Sequence, residues 1–597
     1  MPMLLTAMTQ LQVQVANYPQ AILLVTLWLT YSYVILKGGF VSDDLQGIEQ
    51  YDGTLMYPDE KGNKVRKICY GTLSKWVRYH LCGGHFPSRH RHRLPDGKFS
   101  DPIPSGKVAS HHHALSVVCQ SIAVILLYQF LLTVTTPTVA LMTTLLFIVH
   151  PTCVQAVAWP SAIGYILSLI CITATLLISH WTYTHASLWY IILGLAGVAF
   201  FQVWGVFAQG IPMFTWIILL VLGQWEMAIV AMVFAGATSA INLREYVVFR
   251  KEEFAKQQMS GSTSFNIRKP IVALKTLAYY LYLTVLPIRL GLYHKWGFHY
   301  EKKMELWDWR AICGLLFLCL SVYISSVSPL EIRLGLVWFV VFLMLFLNWI
   351  TAQQWVTERY LYIPVIGLSL VFCFYMQAFM PIYYIVFGLM MCRTLVHLPT
   401  HDNELRFYLS NTWNFPDSEV AYGNLGVAYV STGLQGAAND MWTISGSINQ
   451  DYDVPQYNIF SRIKSQGMYM IQNGAYEQGI QTLASAIPMM DKVLACKVLH
   501  FPEAWKKERD ELQAIVTNPS IILVNELGRL HNLKNTLNAE LSNAKDKKRI
   551  GEVMPSIANN DAQISNITNY LNSKGIVVDF NPEKAFLSKL YQPRSNP

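Results

Sequence analysis

Charged side chains are scarce in this chain. Asp, Glu, Lys and Arg make up only 14% of its 597 residues, against 53% hydrophobic ones. That shortage excludes a disordered chain, a coiled coil and an ordinary soluble enzyme of this length, which all need more polar surface. Carboxylates are scarcer than bases, 37 against 45, so the net charge is +8. Residues 1–400 carry 27 basic and 17 acidic side chains, whereas residues 401–597 carry 18 and 20. The basic excess lies in loops between apolar stretches and is no sign of nucleic-acid binding. The pattern predicts a polytopic membrane body over 1–400 and a water-soluble tail over 401–597. Cysteine is sparse as well, ten in all. Most lie in apolar stretches, where a thiol behaves as a small hydrophobe. Cys69 and Cys82 would pair if their loop is periplasmic or lumenal.

A membrane span needs about 20 mostly apolar residues. Stretches 20–37, 113–134, 138–158, 161–180, 187–206, 269–287, 309–329, 333–351, 358–377 and 379–393 qualify. Region 208–241 is apolar but ambiguous, either one broken span or a span plus an interfacial piece. The first stretch lacks a basic flank and a small-residue cleavage site, so it reads as an uncleaved anchor. Arg244, Arg250, Lys251, Lys256, Arg268 and Lys269 mark 242–269 as a cytoplasmic loop. Loop 38–112 is too long for the charge rule to apply.

That loop opens with Phe40-Val41-Ser42-Asp43-Asp44. Two adjacent carboxylates beside a membrane helix are costly to place. One of them can take the proton of an attacking hydroxyl, as a general base must. The alternative is a solvated loop start or a helix cap. A divalent cation held by one of the pair is the single candidate cofactor. His85, His90 and His92, then His111, His112 and His113, form two histidine groups. No Cys or carboxylate stands at ligand spacing, so no metal site is assigned. These histidines read as solvated or facing lipid headgroups.

Four segments in order resemble the transmembrane and tetratricopeptide-repeat O-mannosyltransferases. The first is the Phe40–Asp44 segment after the first span. The second, running from Leu145 through His150-Pro151 and Gln155 to Trp159, is similar to the His-Pro motif of that family. The third runs from Tyr279-Tyr280-Leu281 to Leu286-Pro287. The fourth is Glu358-Arg359-Tyr360-Leu361-Tyr362-Ile363-Pro364. The resemblance implies the GT-C fold and transfer of a sugar from a polyprenyl-phosphate carrier to a protein hydroxyl on the non-cytoplasmic face. It implies Asp43, or its neighbour Asp44, as the base. Arg359 would lie near the carrier phosphate, a task that suits a planar, always-charged guanidinium. His150, Glu358, Tyr360 and Tyr362 would line the same pocket. If Asp43 and Arg359 share a site, loop 38–112 and the tail lie outside, and about eleven spans are needed.

Departures accompany the resemblance. Gln155 stands where the family commonly has Glu, Ala162-Ile163-Gly164-Tyr165 where it has a Gly-Arg-x-Asp stretch, and Gln209-Gly210 where it has Lys-Glu. Glu to Gln keeps shape but loses charge and proton-accepting capacity. His150-Pro151 also reads simply as a helix end.

The tail holds two frames of tetratricopeptide type, 41 residues apart. The first contains Leu425, Gly426, Tyr429, Gly433, Ala438, Trp442 and Ser445. The second contains Gly467, Gly474, Tyr476, Gly479, Leu483 and Ala486. Small residues at these points let paired helices approach. Tyr429, Trp442 and Tyr476 are the candidates for a groove that binds a protein partner. Two repeats need caps, and 500–516, 521–550 and 558–573 read as the capping helices. The whole is therefore expected to be all-α, a GT-C-like membrane domain with a tetratricopeptide-like tail. It is either a glycosyltransferase or a catalytically degenerate scaffold of the same fold. A lipid-linked glycan polymerase predicts neither the Asp-Asp start nor the repeats. A transporter would need paired broken spans, which the sequence lacks.

Overall fold

The structure, a computed structural model, describes residues 18–41, 56–58, 64–66, 77, 105–185, 187–240, 268–294, 308–347, 356–450, 453–496, 502–543 and 547–573. These are overwhelmingly helical. The exception is a two-stranded antiparallel hairpin in the first loop, Met56–Pro58 with Lys64–Arg66, which pairs Tyr57 with Val65. The chain forms two compact units. Among the described residues, one comprises those up to Gly433 and the other those from Leu434 on. The division thus falls after Gly433, inside the first repeat frame, and not at 400/401.

Among the described residues of the first unit, six helices are long and apolar enough to cross a membrane: Pro19–Lys37, Ala109–Leu132, Pro160–His185, Leu188–Ala208, Trp309–Val327 and Met380–His401. A seventh span results if Pro137–Val149 and Pro151–Ala158, bent by 58°, count as one. The other apolar stretches are shorter helices. Region 208–241 is split into Ile211–Val221 and Trp225–Ala240, with Gln224 between them. The stretch expected to span 358–377 is a helix only from Val365 to Met376, preceded by a single 3-10 turn, Glu358–Leu361. Outward faces are apolar, as lipid contact requires. Leu188, Trp189, Leu193 and Phe200 are exposed on one helix, and Leu316, Leu320 and Val322 on another.

The bent span has a plain cause. Thr136 caps the start of Pro137–Val149, its side chain accepting from the Val139 N–H. A residue before proline is pushed out of the helical region. His150, before Pro151, has ψ 126°, and Trp159, before Pro160, has ψ 103°. The five-residue helix Val154–Ala158 is stranded between the two breaks. The carbonyls freed at the first break are taken up by side chains from other helices. Tyr31 OH donates to Ile148 O at 3.2 Å and Thr394 Oγ1 to Val149 O at 2.6 Å.

The second unit is a helical stack whose core contains Phe460, Leu483, Trp505, Leu512, Leu523 and Leu571. Helices Asp453–Gln472 and Tyr476–Leu494 are joined through Gly474 at φ +85°. Gly433, 41 residues earlier, has φ +82° between Glu419–Ser431 and Gln435–Ile448. Glycine adopts this left-handed conformation without steric cost. Gly467 and Gly479 face each other across the second pair; a Cβ on Gly467 would meet Leu483 Cγ at 2.8 Å and Gly479 O at 2.9 Å. Pro502–Thr517, Ser520–Asn543 and Lys547–Ser573 follow; the middle helix ends at Asn543, and the last starts at Lys547, inside the stretch 521–550 expected for the middle one.

Candidate functional site

Segments far apart in sequence meet around the turn Glu358–Leu361. Gln155, presented by the stranded helix, is buried. Its Oε1 accepts from Thr357 Oγ1 at 2.6 Å and from the Arg359 backbone N–H at 3.1 Å. Tyr280 OH accepts from the Thr357 N–H at 3.4 Å. His150 is buried as well: Nε2 donates to Thr284 O at 3.0 Å, and Nδ1 accepts from Thr152 Oγ1 at 2.8 Å. The second, third and fourth motif segments are therefore hydrogen-bonded to one another.

Glu358 is fully buried. Its Oε1 accepts from the Gly291 N–H and lies 3.5 Å from His294 Nε2, while Oε2 lies 3.1 Å from His397 Nε2. Tyr279 OH pairs with His294 Nδ1 at 2.8 Å. The neighbouring Leu292 N–H is held by Asn411 Oδ1. Every Glu358 oxygen thus has an internal partner, and the residue braces the turn.

Arg359 and Tyr360 are only partly buried. The Arg359 guanidinium lies 4.7 Å from the Trp159 ring centroid and 5.4 Å from that of Tyr360, within cation–π range. Tyr360 stacks on Phe346 with centroids 4.1 Å apart. Tyr362, expected in the pocket, is fully buried; its hydroxyl donates to Gln120 Oε1 and its ring packs on Phe147. Of the five candidate pocket residues His150, Glu358, Arg359, Tyr360 and Tyr362, Arg359 and Tyr360 alone keep access.

The start of the first loop is pinned beside this cluster. The Gly39 N–H donates to His401 O at 3.3 Å, and His113 Nε2 lies 3.1 Å from Gly39 O. His401 and His397 ring centroids are 5.4 Å apart. His112 and His113 are buried, not solvated, because the helix from Ser105 turns them onto segment 39–41; His112 packs edge-on against Phe40. His111 stays exposed. Asp43 and Asp44 lie outside the described residues, as do His85, His90, His92, Cys69 and Cys82. Among the described residues no group of three or more His, Cys, Asp or Glu is placed to hold a metal ion.

In the tail, Tyr429 is partly buried. Trp442 and Tyr476 are buried, Tyr476 against the Tyr570 ring at 5.0 Å, so both act as packing residues. A cavity of about 490 Å³ in the second unit is lined by Glu477, Ile480, Gln481, Asn518, Leu523 and Tyr570, among others. The residues that sequence reasoning missed are His294, His397, His401 and Asn411. None stands in a local pattern that marks it.

No family model, no curated protein and no solved structure matches this chain.

Proposed function

We propose that the protein is an integral-membrane glycosyltransferase, moving a sugar from a polyprenyl-phosphate carrier to a protein hydroxyl on the non-cytoplasmic face. The observation that carries this reading is the meeting of the separated segments. Segment 39–41, the His150–Trp159 break, Tyr279–His294 and Glu358–Tyr362 are linked by direct hydrogen bonds or through His397–His401. Arg359 sits at the accessible side of that junction, the position a carrier phosphate would require. Asp43, the base in this reading, follows Gly39 by four residues in the sequence. In this reading the short apolar helices complete about eleven spans, the first loop and tail are outside, and the tail repeats present an acceptor protein.

The runner-up is a non-catalytic scaffold of the same architecture, its tail binding a partner. It is favoured by Gln155 and Glu358, whose acceptor oxygens serve to fasten the Glu-Arg-Tyr turn. One assay separates the two. The purified full chain is given labelled polyprenyl-phosphate sugars and hydroxyl-bearing acceptor peptides. Transfer is expected, with a loss of at least about 100-fold in Asp43→Asn or Asp44→Asn, the scale of general-base catalysis. Arg359→Ala should weaken carrier binding more than Arg359→Lys, which keeps the charge but not the bidentate fork. Wild-type transfer rates in both Asn variants would leave the scaffold reading standing.

A further inference from the structure

Two buried N–H donors beside Arg359 have no partner among the described residues. Gln155 is 1% exposed and Trp159 is 4% exposed. Neither Gln155 Nε2 nor Trp159 Nε1 makes a hydrogen bond. Buried tryptophan N–H groups and amide donors nearly always find an acceptor, so the pair calls for an explanation. Their orientation is fixed independently. Gln155 Oε1 is committed to Thr357 and Arg359, which leaves Nε2 as the free end. The Trp159 ring is held under the Arg359 guanidinium at 4.7 Å and packs on Phe407 at 5.9 Å. Residues 155 and 159 are four apart at the end of one short helix, so they share a face. Gln155 is bonded to the Arg359 backbone and Trp159 lies under its guanidinium, so both donors lie beside a permanent cation, and neither brings a negative charge.

We propose that Gln155 Nε2 and Trp159 Nε1 are donors to an oxygen of a phosphate seated beside Arg359. Hydrogen bonds to an ionised acceptor are shorter and stronger than neutral ones. A carboxylate at position 155 would repel the same anion. The inference rests on the carrier reading above only for the source of the phosphate, a lipid headgroup or the free ion.

The test is calorimetric binding to the full chain in detergent, with farnesyl phosphate, inorganic phosphate and farnesol as separate probes. Gln155→Glu keeps the acceptor that holds Thr357 and Arg359, removes the donor and adds a repelling charge; Trp159→Phe is the charge-neutral control. Trp159→Phe keeps a ring beneath the guanidinium and removes only the N–H. Each should weaken binding of the phosphate probes by about tenfold and leave farnesol binding unchanged. Dependence seen with farnesyl phosphate alone identifies a lipid headgroup; dependence seen with both phosphates identifies a site for the free anion as well. Phosphate binding that is lost in Arg359→Ala but unchanged in both variants overturns the inference and leaves the carrier clamp intact. So does a wild-type chain that binds neither phosphate. Weakened binding without any sugar transfer would leave this site standing and remove the glycosyltransferase reading. If Gln155→Glu fails to fold, Trp159→Phe decides alone.

Discussion

Glu358 shows how much one buried charge is asked to hold. Its two oxygens bind the Gly291 N–H and face His294 and His397, which come from separate segments. Removing one partner of such a cluster strands the others, and the cost is typically about 3–5 kcal/mol. Glu358→Leu is therefore expected to lower stability by about 3–5 kcal/mol in a denaturant titration of the detergent-solubilised protein. His397→Phe should cost less than Glu358→Leu, since Gly291 and His294 keep their acceptor. Equal midpoints for Glu358→Leu and wild type would mean that the cluster contributes nothing net. Glu358 and Gln155 were legible as motif residues. Their roles as internal fasteners were not, because the partners stand more than 35 positions away along the chain.

At the scale of the element, two kinds of small local signal did most of the work. Prolines at 151 and 160 break one apolar stretch twice, and the break places Gln155 and Trp159 against the Arg359 turn. The repeat glycines act differently. Gly467 has no room for a Cβ, whereas Gly436 has nothing within 4 Å of one. Gly467→Val should cost about 1–3 kcal/mol through overpacking. Gly436→Ala, inside helix Gln435–Ile448, should be neutral or gain up to about 1 kcal/mol from the lost flexibility of the unfolded chain. Thermal unfolding of the full chain checks both signs. A tolerated Gly467→Val would mean that the second helix pair is not closely apposed.

At the scale of the molecule, the charge map and the carrier reading make one joint statement about sidedness. Membrane-impermeant thiol reagents should label a cysteine introduced in loop 38–112 and another in the tail, and should miss one in 245–265. The background should lack Cys313, Cys319 and Cys392, the exposed native thiols among the described residues. A protected tail would overturn the shared outer site and, with it, Asp43 as the base for Arg359 chemistry.

The sequence by itself determined the apolar helical body, the polar helical tail and the positions of the prolines and glycines that shape them. All of these follow from composition and from interactions within a few residues. Proline removes a donor and restricts its predecessor, glycine permits positive φ, and apolar runs of span length partition into lipid. Only the tertiary structure decided which apolar stretches are long helices and which are short or bent. It alone buried His112 and His113, closed Tyr362 and Tyr476 into the cores, and gathered His294, His397 and Asn411 around one carboxylate. Those outcomes depend on hydrogen bonds and packing between residues tens to hundreds of positions apart, and no local pattern encodes such pairings.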